Sequence, residues 1–194
     1  MSTEKQKYTR NSPYQSRMLV NVRMTDPVSE KETRHIELAL EPGMDYTPGD
    51  AVGIVPDNRP QEVAEVLQQL HLKGDERVLD HYKKEISLEE ALRTRLAIGK
   101  LTRSSVNHYA KLSQHPELQE LTKPEHRSKA EEYVWGREFV DLLREYPGGI
   151  SDPQQLFTVL ARLTPRMYSI ASSQAMVQDA VSYTHLTLPT NREV

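Results

Sequence analysis

The chain has 194 residues, of which 27% are charged, with a net charge of −3 and no cysteine. This length can bury the core of one domain or of one domain with an insertion, and the weak acidic balance argues against nucleic acid or an acidic membrane as a partner. Without cysteine the chain forms no disulfide, zinc–cysteine site or iron–sulfur cluster of its own, so any redox chemistry requires a bound organic cofactor.

The first third of the sequence alternates between apolar and polar residues, which is typical of half-buried antiparallel strands. The apolar positions are Met18, Val20, Val22 and Met24 in a first strand and Ile36, Leu38 and Leu40 in a second. Turn residues at 41–43 and 47–50 then precede a third apolar run at 51–55. These segments predict the start of a β-barrel.

After Pro56 the spacing of apolar residues changes to that of helices. Pro60 suits the first turn of a helix whose apolar positions are Val63, Val66, Leu67 and Leu70. A capping box at 87–90 predicts a second helix, and further helices are predicted around 106–112, 139–143 and 154–160. The sequence therefore predicts an all-helical insertion at 59–163 between strands.

A strand predicted to follow the insertion carries Arg166, Met167, Tyr168 and Ser169. Because side chains alternate along a strand, Arg166 and Tyr168 would share one face. A guanidinium matches phosphate oxygens, and a phenol ring offers a flat surface for stacking, so the pattern suits a flavin dinucleotide. An ordinary strand with an exposed arginine is the alternative interpretation of these four residues.

Other candidate groups predict no further chemistry. The seven histidines lack metal-ligand spacing, and the paired glutamates lie where helices begin. We therefore predict no metal ligand and no catalytic residue. Trp135 is the single tryptophan, and a single tryptophan is more often a core residue.

Several stretches, taken in order, resemble one protein family. They are 31–38, 46–53, 135–138 and 163–173, and the likeness runs from about residue 8 to about residue 181. The chain resembles the FAD-binding part of the ferredoxin reductase superfamily and, within it, the diflavin reductases of the sulfite reductase flavoprotein type.

The resemblance implies a fold and its boundaries. The expected fold class is α+β, with an incomplete antiparallel FAD-binding β-barrel at 15–58 and 164–181, interrupted by the helical connecting insertion at 59–163. Residues 1–14 are expected to be disordered. The segment 182–194 departs from the family pattern and is expected to be a non-native tail, which would make the chain a C-terminally truncated fragment with an open strand edge.

The resemblance also implies roles for the four strand residues. Arg166 would pair with an FAD phosphate, Tyr168 would stack on the isoalloxazine ring, and the Ser169 hydroxyl would lie near flavin N5. Met167 would contribute its backbone. FAD is thus the expected cofactor. By the same resemblance, Trp135 and the stretch 99–102 are weaker candidates, because they fall where related proteins approach the FAD.

The implied activity is that of an NADPH-dependent flavoprotein oxidoreductase of the sulfite reductase type. NADPH would bind a domain absent from this sequence, since the eight glycines lack the spacing of a dinucleotide fingerprint. FMN would be held by a missing domain or by a separate flavodoxin-like chain, and a sulfite reductase hemoprotein subunit would be a partner. The fragment alone is expected to be inactive.

An alternative from another class is a cofactor-free helical interaction module, or a fragment without function. The N-terminus lacks a signal peptide and no apolar run reaches membrane-spanning length, so the expected location is the cytoplasm.

Overall fold

The computed structural model describes residues 8, 13–29 and 31–187. The described residues form two compact units: one contains the residues up to Val55 and those from Pro165 onward, and the other is Pro56–Thr164. We call them the β unit and the helical unit.

The strands, in chain order, are β1 Met18–Arg23, β2 Glu32–Ala39, β3 Ala51–Ile54, β4 Arg77–Leu79, β5 Glu85–Ser87, β6 Arg166–Ser169 and β7 Ala180–Thr187. The helices are α1 Pro60–Leu70, α2 Leu88–Thr94, α3 Arg103–Ser113, α4 Pro116–Leu121, α5 Arg127–Val134, α6 Phe139–Glu145, α7 Leu156–Val159 and α8 Gln174–Val177. Short 3-10 turns at Pro124–His126 and Pro153–Gln155 precede α5 and α7.

All strand pairs are antiparallel. In the β unit, β2 lies between β1 and β7, while β3 pairs with β6 in a separate two-stranded sheet. The hairpin of β4 and β5 belongs to the helical unit, so the prediction that the insertion at 59–163 is all-helical is wrong at 77–87. The predicted combination of antiparallel strands and helices is present, and closure of the strands into a barrel stays a prediction.

The register of β1 against β2 corrects one expectation. Met18 pairs with Leu38, but an irregularity follows, and Val22 then pairs with His35. Because residues directly opposite each other point to the same side, the bulge turns the later apolar residues of β1 toward the polar side of β2. Val22 is 55% exposed and Met24 62%. The prediction that β1 is half-buried on its apolar face is therefore wrong.

Strand β7 supplies much of the core of the β unit. Val181 and Tyr183 are buried together with Ile36 of β2 and Ile170, and Tyr183 is the cross-strand partner of Ile36. The strand thus includes residues 182–187 of the predicted non-native tail. The non-native origin of this tail stays a prediction. Residues 188–194 lie outside the described residues. Of the segment 1–14 predicted to be disordered, only residues 8, 13 and 14 are described.

Helix α1 begins at the predicted proline. Pro60 occupies the first turn, where its missing N–H is not needed, and Val63 and Val66 are buried. The helix ends at His71 in the left-handed conformation. Ser87 caps α2 by accepting the Glu90 N–H at 3.2 Å. The predicted helix starts are confirmed here because local hydrogen bonding determines them.

The core of the helical unit is continuous and apolar. Its largest fully buried side chains include Tyr109, Phe139, Leu88, Leu92, Leu96, Leu101, Leu118, Leu142, Leu143 and Leu156. Tyr109 packs edge-on against Phe139 with ring centroids 6.3 Å apart. The Tyr109 hydroxyl also donates to the Tyr146 carbonyl and accepts the Gly149 N–H at 3.1 Å. This tyrosine therefore joins α3 to the turn that follows α6.

A buried carboxylate closes the β4–β5 hairpin. Asp80 is 3% exposed and accepts the backbone N–H groups of Tyr82 at 2.7 Å and Lys84 at 3.0 Å. The Arg95 Nε lies 3.5 Å from its Oδ2. Burial alone would raise the pKa of Asp80, but these N–H donors and the guanidinium together lower it.

The neighbouring His81 is held in its neutral form. Its ring packs edge-on against Phe157 with centroids 5.1 Å apart, and its Nε2 is buried without a hydrogen-bond partner among the described residues. Burial lowers the pKa of His81, and the charges of Arg162 and Arg95 lower it further against the opposing effect of Asp80. Protonation of this ring is therefore unfavourable in the folded chain.

Candidate flavin site

Strand β6 carries all four residues that the sequence singles out for cofactor binding. It pairs with β3 so that Arg166 lies opposite Ile54 and Tyr168 opposite Val52. The pairing continues one step further, because the Ile170 N–H donates to the Asp50 carbonyl at 2.8 Å. The pleat therefore gives Arg166 and Tyr168 a common face, as the spacing predicts.

Arg166 is exposed and makes no hydrogen bond or ion pair with any residue that the structure describes. Arginines elsewhere in the chain do find partners: Arg137, for example, donates to Glu145 at 2.6 Å. A guanidinium without a carboxylate partner keeps its forked set of donors available for an anion. This property fits a phosphate ligand.

Tyr168 is half-buried and lies against β7. Its ring centroid is 4.6 Å from that of Tyr183, with 31° between the ring planes. Its hydroxyl lies 2.6 Å from Nδ1 of His185. One side of the ring is thus supported by a second aromatic ring, while part of the side chain stays exposed.

His185 is neutral in this arrangement. Burial lowers its pKa, and the nearby charges of Arg166 and Arg34 lower it further. A neutral imidazole has one N–H and one acceptor nitrogen, so the tautomer of His185 determines which group donates in the hydrogen bond between Nδ1 and the Tyr168 hydroxyl. The sequence did not predict this contact, because residues 182–194 were set aside as non-native.

The other two β6 residues alternate with Arg166 and Tyr168. Met167 is 65% exposed and lies over Gly53, where an added Cβ would come within 3.2 Å of the Met167 sulfur. Ser169 is exposed opposite Ala51 at the end of the paired segment. A glycine at 53 therefore leaves room for the methionine side chain beside the two strands.

The turn before β3 approaches the segment after β6. Gly49 has a φ of +95°, which a residue without a Cβ adopts at no steric cost, and the Asp50 carboxylate accepts the Thr47 N–H at 2.8 Å. The Tyr46 hydroxyl reaches Ser172, at 2.7 Å. The sequence predicted the turn but not the tyrosine contact, which joins residues 126 positions apart.

The residues that were weaker candidates lie in the helical unit. Trp135 is 81% exposed, so its interpretation as a core residue is wrong. In the stretch 99–102, Leu101 is buried and Thr102 caps α3 by accepting the Ser105 N–H at 3.1 Å. Leu101 and Thr102 therefore have local structural roles, and an approach of Trp135 or of the stretch 99–102 to a flavin stays a prediction.

The described residues contain no group of three or more His, Asp and Glu side chains that could hold a metal ion. No helix within the described part of the chain is both long enough and apolar enough to cross a membrane.

Comparison with known proteins identifies the family. The model of a family described as "FAD binding domain" matches residues 6–191. The chain belongs to the FAD-binding domain family. The match extends into the segment 182–194 that the sequence analysis set aside.

Relatives of this FAD-binding domain carry the name sulfite reductase (NADPH) flavoprotein alpha-component. The protein of Bacillus subtilis (strain 168) is 34% identical over 188 residues, which are 96% of this chain and 31% of the relative. Those of Yersinia enterocolitica and Cronobacter sakazakii are 40% and 39% identical, each over 91% of this chain and 29% of the relative. The predicted resemblance is confirmed, and the chain spans about three tenths of the length of these relatives.

The described side chains of this FAD-binding domain fit the cofactor in its family name. An FAD molecule requires a cationic partner for its pyrophosphate and a flat partner for its ring system. Among the described residues no carboxylate pairs with Arg166, and Tyr168 presents part of an aromatic ring that packs against Tyr183 of β7.

Proposed function

We propose that this chain binds FAD along β6. Arg166 pairs with a phosphate of the cofactor, Tyr168 stacks on the isoalloxazine ring, and Ser169 places its hydroxyl near flavin N5. Met167 contributes its backbone. The observation that carries this proposal is the exposed guanidinium of Arg166, unpartnered among the described residues and on the same face of a strand as a half-buried tyrosine.

The chemistry of these side chains supports binding and orientation. Bound FAD would supply hydride and single-electron transfer, while the protein fixes the position and surroundings of the ring. Burial and the charges of Arg166 and Arg34 lower the pKa of His185, and its Nδ1 shares a hydrogen bond with the Tyr168 hydroxyl. A tyrosine fixed through its hydroxyl has less side-chain entropy to lose when a flat ligand binds.

For the whole protein we propose the activity of an NADPH-dependent flavoprotein reductase of the sulfite reductase type, located in the cytoplasm. NADPH would bind a domain outside this sequence, and FMN a further domain or a flavodoxin-like chain. A sulfite reductase hemoprotein subunit would receive the electrons. The names of the relatives support this proposal.

Titration of the purified chain with FAD tests the binding proposal. Flavin fluorescence should be quenched on binding, and Tyr168→Ala should abolish the quenching. Arg166→Gln should weaken binding about tenfold or more, since a charge-assisted hydrogen bond to phosphate is lost. Tyr82→Ala and Arg77→Gln, which change exposed residues of the helical unit, are the matched controls.

The proposal is supported if the wild-type and control proteins quench flavin fluorescence equally and both site variants bind FAD more weakly. Wild-type protein that is folded by circular dichroism but leaves flavin fluorescence unchanged would refute it and favour the cofactor-free module.

A further inference from the structure

Hydrogen bonds between residues distant in sequence connect the segment before β3 to the segment after β6. The side chains that make these bonds are not among those proposed to touch FAD. We propose that Tyr46 is a positioning residue for the flavin site and that it acts through Ser172. This inference rests on the proposed function, because what Tyr46 would position is the strand that carries Tyr168 and Ser169.

The hydroxyl of Tyr46 takes part in a hydrogen-bond chain with a definite direction. It donates to the Ala180 carbonyl at 3.0 Å, so its oxygen accepts the proton of the Ser172 hydroxyl at 2.7 Å. The Ser172 oxygen accepts the Ser182 N–H at 2.9 Å. Each of the two hydroxyls thus donates one hydrogen bond and accepts another, and no two donors face each other.

A second connection runs beside the first. The Tyr46 N–H donates to Oε1 of Gln174 at 3.0 Å, and Nε2 of Gln174 donates to the Met44 carbonyl at 2.8 Å. Ser172 is 8% exposed. Removal of one hydroxyl from a buried set leaves its partners without hydrogen bonds, which costs more than the loss of an exposed hydrogen bond. We call Tyr46, Ser172 and Gln174 the clasp.

The clasp lies at the end of the sheet where Ser169 is found. The β3–β6 ladder has four residue pairs, from Ile54–Arg166 to Ala51–Ser169, and a two-stranded ladder is marginally stable by itself. Ser172 is three residues beyond Ser169, and Tyr46 is five before Ala51. The clasp therefore restrains both strands where the ladder would otherwise fray.

Fraying at this end would affect the proposed cofactor contacts directly. Without the clasp, Tyr168 and Ser169 would sample more orientations, and FAD would have to order them at the expense of binding free energy. A less fixed Tyr168 ring would also quench the bound flavin less completely. Tyr46 would thus influence both the affinity for FAD and the spectroscopic state of the bound cofactor without touching it.

The test compares two tyrosine-to-phenylalanine variants. Tyr46→Phe keeps the ring and removes the hydroxyl of the clasp. Tyr109→Phe makes the same change at a buried hydroxyl that also has two hydrogen-bond partners, but in the helical unit. Each variant is titrated with FAD, and residual flavin fluorescence is measured at saturation.

Tyr46→Phe removes two partly buried hydrogen bonds; it should raise the dissociation constant for FAD about tenfold and should increase the residual fluorescence of the saturated complex. Tyr109→Phe should lower the melting temperature and leave both flavin readouts unchanged. Ser172→Ala should also weaken FAD binding, and the effect of the double variant should be smaller than the sum of the two single effects, because both substitutions remove the hydrogen bond between the two hydroxyls.

Amide hydrogen exchange of the FAD-free chain gives a readout that does not depend on the cofactor. The Ile170 amide, which donates to Asp50, should exchange faster in Tyr46→Phe than in Tyr109→Phe. Equal flavin readouts and equal exchange in the two variants would overturn the inference while leaving FAD binding intact. Failure of the wild-type chain to bind FAD would instead overturn the proposed function and this inference with it.

Discussion

Replacement of Gly149 by alanine should destabilise the helical unit severely. A Cβ at this buried position would lie 2.5 and 2.7 Å from ring atoms of Tyr109 and 2.8 Å from Cβ of Ser113. Tyr109 cannot move away easily, because it is fully buried and its hydroxyl bonds both the Tyr146 carbonyl and the Gly149 N–H. The clash therefore requires a shift of backbone or ring rather than of a flexible side-chain end.

The size of the effect follows from two costs. Overpacking of a well-packed core costs about 1–3 kcal/mol, and displacement of the Tyr109 ring would weaken hydrogen bonds that contribute about 1 kcal/mol each. We expect the free energy of unfolding to fall by about 2–4 kcal/mol and the melting temperature by about 5–15 °C. Urea and thermal denaturation followed by helical circular dichroism measure both quantities.

Gly99→Ala is the matched control for this prediction. Its Cβ would have Glu62 Oε2 as nearest atom, at 3.9 Å, so we expect a change within about 0.5 kcal/mol. In a Tyr109→Leu background, Gly149→Ala should cost much less, because the ring atoms that it meets are gone. An unfolding free energy of Gly149→Ala equal to that of Gly99→Ala would refute the packing argument.

Three further predictions concern titratable groups. The free energy of unfolding of the wild-type chain should fall as the pH drops below about 6.5, because the pKa of His81 is lower in the folded chain and the unfolded chain therefore binds the proton more tightly. His81→Phe should reduce this pH dependence in urea denaturation between about pH 5 and 7. Asp80→Asn should destabilise the helical unit by about 1–3 kcal/mol in the same assay, since the buried carboxylate accepts two backbone N–H groups and faces the half-buried Arg95. Arg166→Gln should raise the pKa of His185 toward its ordinary value in an NMR titration, and an unchanged pKa would contradict the proximity of these two side chains.

Five helices, α1, α2, α3, α6 and α7, could be predicted from the sequence because neighbouring residues determine them, whereas α4, α5 and α8 were not predicted. The proline at the start of α1, its spacing of Val63 and Val66, and the Ser87 cap act within one or two turns. The strand that carries Arg166 and Tyr168 was likewise evident from alternation and turn residues. In each case the signal and the structure that it specifies lie within about ten residues.

The remaining features depend on contacts that a pattern does not contain. The exposed apolar face of β1 results from one bulge, which reverses the side of every residue after it without changing the alternation. The exposure of Trp135 depends on where the chain turns after α5. The Tyr46–Ser172 contact joins positions 126 residues apart, and the local sequence around either residue does not predict it.

Different side chains stabilise the helical unit and the β3–β6 sheet, so helical stability and cofactor binding should respond to different mutations. The helical unit buries a continuous set of large apolar side chains, whereas the sheet that carries Arg166 and Tyr168 has four residue pairs and depends on the clasp and on β7. A substitution such as Gly149→Ala should therefore change the unfolding of the helices more than the geometry of β6. Tyr46→Phe should do the reverse, since its hydroxyl contributes to the sheet end and to no helical contact among those described. Affinity for FAD and helical stability are then separable properties of this chain, because different sets of side chains determine them.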